Sequence, residues 1–193
     1  MKICVYGAAS SLIDEVFIKA GEELGRKMVE RGHSLVFGGG RSGMMGAPAR
    51  GVFEKGGSII GIAPKFFEEN NPEISFENCT EFIKTESMRE RKRLLDEMSD
   101  AFIVAPGGIG TFDEFFEILT LKQLGRHNKA IVIFNINGYF DSMLDMMQVS
   151  VDKKFITNDC RELYKVTNTI EETLEYIENY DPKDIDLSKV KIR

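Results

Sequence analysis

Thiols and imidazoles are scarce in this chain. Its 193 residues hold three cysteines (Cys4, Cys79, Cys160) and two histidines (His33, His127). None of them stand at metal-ligand spacing, so a zinc site is not expected. An odd number of scattered cysteines provides no disulfide framework and suits a reducing compartment, so a cytoplasmic location is expected. The cysteines read as small buried hydrophobes. No apolar stretch is long enough to span a bilayer, and a strand-like run already starts at Ile3, where a signal peptide would lie. Basic residues are outnumbered, 25 against 31, for a net charge of −6. That argues against nucleic acid as a partner, since its binders carry a basic face. No internal repeat or low-complexity segment is visible.

What the chain does have is alternation. Short runs that are apolar throughout read as strands buried on both faces: Ile3 to Tyr6, Ser34 to Phe37, Ser58 to Ile62, Phe102 to Ala105 and Ala130 to Phe134. A short strand at Glu81 to Lys84 and a late one at Leu163 to Val166 complete the set. Between them lie amphipathic helices. The first, about Ile13 to Arg31, has Phe17, Ala20, Leu24 and Met28 on one stripe. Others are read at Met44 to Lys55, Ser87 to Ser99, after Ala105, at Tyr139 to Val151 and at Thr167 to Asn179, the last capped by Asn168 or Thr169. The pattern predicts an α/β fold: a Rossmann-like, doubly wound, mostly parallel sheet with helices on both faces. Residues 1–180 read as one domain, large enough to bury roughly 70% of its unfolded surface, and residues 181–193 as a polar C-terminal tail. Pro64 to Asn78 is the one long irregular stretch, either a solvated loop or one wall of a site.

Chemistry concentrates in three segments. Pro106-Gly107-Gly108-Ile109-Gly110-Thr111-Phe112-Asp113-Glu114 carries the chain from a buried strand through glycines into a helix. Free N–H groups at the positive end of a helix dipole form an anion site, usually for phosphate. Glu114 would repel a phosphate, so it is assigned to the uncharged part of the ligand, although a first-turn acid also simply favours its helix. Gly38-Gly39-Gly40-Arg41-Ser42-Gly43-Met44-Met45-Gly46 is a second strand-to-helix turn. It matches the dinucleotide fingerprint only loosely, because no acidic residue closes the next strand. Met88-Arg89-Glu90-Arg91-Lys92-Arg93 places basic residues against a helix dipole, where ligands of doubly wound sheets bind. Arg91 and Lys92 stand about 100° apart around that helix. They could serve two parts of one anion, or one could face the ligand and the other a carboxylate. No lysine is marked out as the Schiff-base partner of pyridoxal phosphate.

These segments resemble the signatures of the Lonely Guy (LOG) family, once labelled lysine decarboxylase-like. Met88-Arg89-Glu90-Arg91-Lys92 resembles its Met-His-x-Arg-Lys, and Pro106 through Glu114 its Pro-Gly-Gly-x-Gly-Thr-x-x-Glu. Gly38 through Gly46 resembles its Gly-Gly-Gly-x-x-Gly-Leu-Met-Gly. The likeness runs from about Ile3 to Ile156. It implies a hydrolase cleaving the N-glycosidic bond of a nucleoside 5′-monophosphate, AMP or a cytokinin-type nucleotide, to free base and ribose 5-phosphate. It also implies no cofactor and a homodimer. By resemblance Arg91 and Glu114 are the catalytic pair. Substrate-binding positions are Glu73, Lys92, Gly107, Gly108, Ile109, Gly110, Thr111, Phe112, Asp113 and Thr120, with Gly40 and Gly43 from the glycine run. Arg89 stands where the family has histidine, and the loop Tyr6 to Ser11 differs from its Cys-Gly-Ser-Ser. Both departures bear on substrate preference rather than on the reaction. A non-catalytic nucleotide or cofactor carrier on the same fold is the alternative, although a pure phosphate binder has no need of Glu114. Tyr139-Phe140, Met143-Leu144 and Met146-Met147 add a hint of an interface, being more apolar than one buried stripe requires.

Overall fold

In a computed structural model, which describes residues 1–70, 74–185 and 190, each apolar run becomes a strand of one sheet. Seven strands, all parallel, lie in the order β4-β3-β2-β1-β5-β6-β7. They are β1 (Lys2–Tyr6), β2 (Ser34–Phe37), β3 (Ile59–Pro64), β4 (Glu81–Thr85), β5 (Ala101–Val104), β6 (Ala130–Phe134) and β7 (Lys165–Thr167). The helices are α1 (Glu15–Glu30), α2 (Gly43–Glu54), α3 (Phe66–Asn70), α4 (Met88–Glu97), α5 (Ile109–Gln123), α6 (Asp141–Asp152) and α7 (Ile170–Glu178).

Alternation along each strand sends side chains to opposite faces, and two cores result. Ile3, Val5, Leu35, Phe37 and Ile103 meet Leu24 and Met28 of α1, Val52 of α2 and Leu174 of α7. Cys4, Tyr6, Val36, Phe102 and Ile131 meet Leu95 of α4, Phe115 and Ile118 of α5 and Met147 of α6. Helices α1 and α2 pack backbone against backbone. A Cβ on Gly25 would lie 2.1 Å from the Pro48 carbonyl oxygen, and one on Gly51 2.0 Å from that of Glu22.

Several sequence expectations change. The stretch after Pro64 is not wholly irregular, since α3 opens it. The late strand starts at Lys165, because Leu163 reaches the core from a 3₁₀ turn over Asn158–Leu163 and so needs no strand. The last helix begins at Ile170, where the Thr169 hydroxyl accepts the Glu172 N–H as a cap. Within the expected polar tail, Val190 is buried and its carbonyl accepts from Gln123 Nε2 at 3.1 Å.

Lys122, near the end of α5, is fully buried. Its Nζ donates to the Lys129 carbonyl and to Tyr180 Oη, both at 2.9 Å, and lies 4.7 Å from the Tyr180 ring centroid. The Tyr180 hydroxyl in turn donates to Asn128 Oδ1. The lysine thus ties α5, the approach to β6 and the end of α7 together through uncharged partners, and burial pushes its pKa down to about 8. Between that value and the 10.5 of a free lysine, the unfolded chain holds a proton that the folded chain does not. Stability therefore rises with pH through this window, by on the order of 3 kcal/mol. Denaturant unfolding at pH 7.5 and pH 10 should show that rise in the wild type relative to Lys122→Met. Equal pH dependence in the two proteins would refute it.

Candidate active site

From β1 the chain winds outward through β2, β3 and β4, then crosses back to β5 and winds the other way. The loops leaving β1 and β5 therefore part at their carboxyl ends and open a crevice, the usual ligand position in such sheets. Backbone bonds fix the crevice walls. Ala105 N–H donates to the Tyr6 carbonyl (2.9 Å), Ala8 N–H to that of Pro106 (3.1 Å), and Met45 N–H to that of Ala8 (2.8 Å). A cavity of about 410 Å³ lies here. Gly108, Gly110 and Thr111 form one wall, Ala8 and Ser10 another. Met45, Phe67, Ile74 and Met88 supply apolar lining, and Arg91 and Glu114 also line the cavity.

The glycines of the β5–α5 turn are there for two different reasons. A Cβ on Gly107 would stand 2.1 Å from Thr111 Oγ1 and 2.9 Å from the Ala8 nitrogen, so the fold itself excludes one. A Cβ on Gly108 or Gly110 would meet no protein atom within 4 Å. Both residues line the cavity, and their bare backbone leaves room for a ligand at the first turn of α5. The N–H groups of that turn have no partner within the helix.

Helix α4 delivers the charged pair. The Ser87 hydroxyl caps it by accepting the Glu90 N–H at 3.2 Å. One turn on, Arg91 enters the interior, 3% exposed, facing Glu114 of α5 at 6%. Arg91 Nη1 donates to Glu114 Oε1 at 2.7 Å, and Nε donates to the Ile62 carbonyl at 3.2 Å. The guanidinium fits because residue 38 lacks a side chain: a Cβ on Gly38 would lie 2.2 Å from Nη2. Burial lifts the Glu114 carboxyl above the usual carboxylate range, and the Arg91 charge pulls against that lift.

Lys92 turns elsewhere. Its Nζ pairs with Asp113 at 3.0 Å and with Glu117. Burial pulls its pKa down, but these two carboxylates outweigh burial and raise it. Lys92, Arg93, Asp96 and Glu117 line a second cavity of about 250 Å³, and Glu114 lines this one as well as the first.

Residues 45–177 match the family model described as "possible lysine decarboxylase". The chain is 35% identical over 185 residues to the cytokinin riboside 5′-monophosphate phosphoribohydrolase LOG2 of Arabidopsis thaliana, covering 96% of this chain and 86% of that protein. It is 35% identical over 182 residues to the cytokinin riboside 5′-monophosphate phosphoribohydrolase LOG of Oryza sativa subsp. japonica, covering 94% and 74%. The chain belongs to the LOG family. In fold it is also similar to the molybdenum cofactor carrier protein of Chlamydomonas reinhardtii, with a TM-score of 0.69 at 21% identity over 92% of this chain and 95% of that one.

The LOG-type motifs converge on the crevice unevenly. Arg91, Gly108, Gly110, Thr111, Asp113 and Glu114 all line the larger cavity. Ile109 points outward, 88% exposed, while Phe112 packs beside Phe140 with ring centroids 6.4 Å apart. Thr120 lies exposed about 16 Å along α5 from its start. Gly40 forms an isolated antiparallel bridge with Ser75. Gly43 has φ +61°, and a Cβ there would sit 2.4 Å from the carbonyls of Ala8 and Ser10, so it brings α2 against the β1 loop. Glu73 lies outside the described residues. Sequence reasoning did not assign Met45, Phe67, Ile74 and Met88 to the site, although Met45 and Met88 lie within the glycine and basic segments and Phe67 and Ile74 within the stretch after Pro64 that could form one wall.

Arg91→Met keeps the bulk and removes the charge. Burial then acts on Glu114 with its main opponent gone, so its carboxyl should titrate higher than in the wild type, as read by ¹³C NMR of the side-chain carboxyl. Unfolding free energy should fall by roughly 3–5 kcal/mol, the usual cost of stranding one partner of a buried pair. An unmoved or lowered Glu114 titration would show that the guanidinium does not hold the carboxylate.

Proposed function

We propose that this chain hydrolyses the N-glycosidic bond of nucleoside 5′-monophosphates, AMP or N6-substituted cytokinin-type nucleotides, releasing free base and ribose 5-phosphate. The observation that carries the reading is the buried Arg91–Glu114 pair, which lines the same cavity as the turn opening α5. The names of the Arabidopsis and rice relatives support it. The 5′-phosphate would sit on the N–H groups of Gly108 to Thr111, favoured by the helix dipole. The base would lie toward Met45, Phe67, Ile74 and Met88. The ribose between them would then face Glu114.

Departure of the base with the bonding electron pair leaves positive charge on the ribose ring. Glu114 stabilises that charge, orients ribose hydroxyls and accepts a proton from the water that adds to the anomeric carbon; the departing base nitrogen takes up a proton from solvent, and Glu114 returns its own to solvent, so that water is consumed once per bond cut. Burial raises its affinity for a proton, which favours a role as a base. Arg91 holds the carboxylate in place. Phosphate binding energy, remote from the bond being cut, positions the reacting groups.

AMP should therefore be hydrolysed and adenosine hardly at all, measured as adenine released. Glu114→Gln and Arg91→Ala should each cut the rate by roughly 100-fold or more. The double variant should be little worse than either, because the two groups act as a unit. Equal turnover of adenosine and AMP would refute the phosphate assignment. A near-normal rate in Glu114→Gln would favour the carrier reading instead.

The same reading includes a homodimer and a cytoplasmic location. Cys4, Cys79 and Cys160 are free thiols, and no helix among the described residues is long and apolar enough to cross a membrane. Of the apolar residues around α6, Phe140 and Met147 are core, whereas Met146 remains exposed. That surplus fits a partner surface. Light scattering at micromolar concentration should give twice the 21.8 kDa of one chain. A monomer mass would rule the dimer out.

A further inference from the structure

Past β6 the chain makes a turn that the proposed reaction does not account for. Asn137 (φ 53°) and Gly138 (φ 71°) both adopt left-handed backbone in the turn over Ile136–Gly138. The side chain of Asn135 braces the turn. Its Oδ1 accepts the Phe140 N–H at 2.7 Å and its Nδ2 donates to Asp141 Oδ1 at 2.8 Å. The Asn135 N–H donates to the Thr167 carbonyl at 2.8 Å. A turn so fully tied directs the next residue, Tyr139, back over the neighbouring strand β5. Its ring stands edge-on to Phe17 of α1 (6.0 Å) and to Phe140 (5.0 Å). Its hydroxyl donates to the Gly107 carbonyl at 2.7 Å, although the residue is 43% exposed.

That carbonyl belongs to the peptide whose other end is the Gly108 N–H. Glycine stands on both sides of this peptide, so local sterics do little to fix its orientation. Gly107 cannot gain a side chain to stiffen it, since a Cβ would strike Thr111 and Ala8. Orientation has to be imposed from outside. In a planar trans peptide the C=O and N–H point in opposite directions. Holding the carbonyl on the Tyr139 side therefore turns the Gly108 N–H away from Tyr139, and Gly108 lines the cavity.

We propose that Tyr139 is a positioning residue: its hydroxyl pins the Gly107 carbonyl and so aims the Gly108 N–H at the phosphate of the ligand. This rests on the reading of that turn as the phosphate site. Tyr139→Phe removes only the hydroxyl. By calorimetric titration, AMP and ribose 5-phosphate should bind about 5- to 10-fold more weakly to the variant, the scale of one hydrogen bond. Adenine should bind as before. In steady state, KM for AMP should rise by the same factor while kcat changes less than about 3-fold. Unchanged affinity for ribose 5-phosphate, or equal weakening for adenine, would overturn the assignment. If the wild type binds ribose 5-phosphate but releases no adenine from AMP, the hydrolase reading fails while the comparison of the two proteins still decides the role of Tyr139.

Discussion

Everything at the crevice depends on keeping one guanidinium and one carboxylate together out of water. Two charges desolvated side by side are tolerated only with close geometry and further hydrogen bonds. Here the 2.7 Å contact joins α4 to α5, and the Ile62 carbonyl ties the same arginine to β3. The pair thus fixes two helices and a strand end at the switch point of the sheet. It also imposes a condition on β2, whose first following residue has to be glycine to leave space for the guanidinium.

The crevice lining is of two kinds. Around the start of α5 it offers backbone donors and almost no side-chain bulk, which suits a rigid, charged, tetrahedral group. Around Met45, Phe67, Ile74 and Met88 it offers polarizable apolar surface, which suits a flat ring and tolerates variation in what the ring carries. Lys92, next to Arg91 in sequence, does not line this cavity. It neutralises Asp113 and Glu117, which would otherwise add negative charge around Glu114.

Strand and helix positions were readable because parallel strands buried on both faces leave uninterrupted apolar runs, and period-2 alternation assigned those runs to two cores. The turn at Gly107 to Thr111 was legible for a similar reason, being local chemistry at a strand-to-helix junction, whereas the pairing of Arg91 with Glu114, 23 positions away on the next helix, was one of the alternatives the sequence left open. What escaped was non-local. Gly38 reads as part of a phosphate-type loop, yet its constraint comes from a side chain 53 positions later. Gly43 matched a nucleotide fingerprint, but its positive φ serves helix α2 and the β1 loop. Tyr139 looked like part of an interface helix, and only the Asn135-braced turn aims it at Gly107. Leu163 looked like strand because burial, not pairing, is what an apolar residue reports.

The contact between α1 and α2 has a bearing on engineering. Replacing helical glycines by alanine is a common way to stiffen a chain, because it reduces the freedom of the unfolded state. At Gly25 and Gly51 that route is closed. The added methyl carbon would fall about 2 Å from a main-chain oxygen of the facing helix, and main chain cannot rotate aside as a side chain can. Any residue but glycine would force the two helices apart. The seam acts as a spacing gauge, and thermostable variants of this chain would have to leave it untouched.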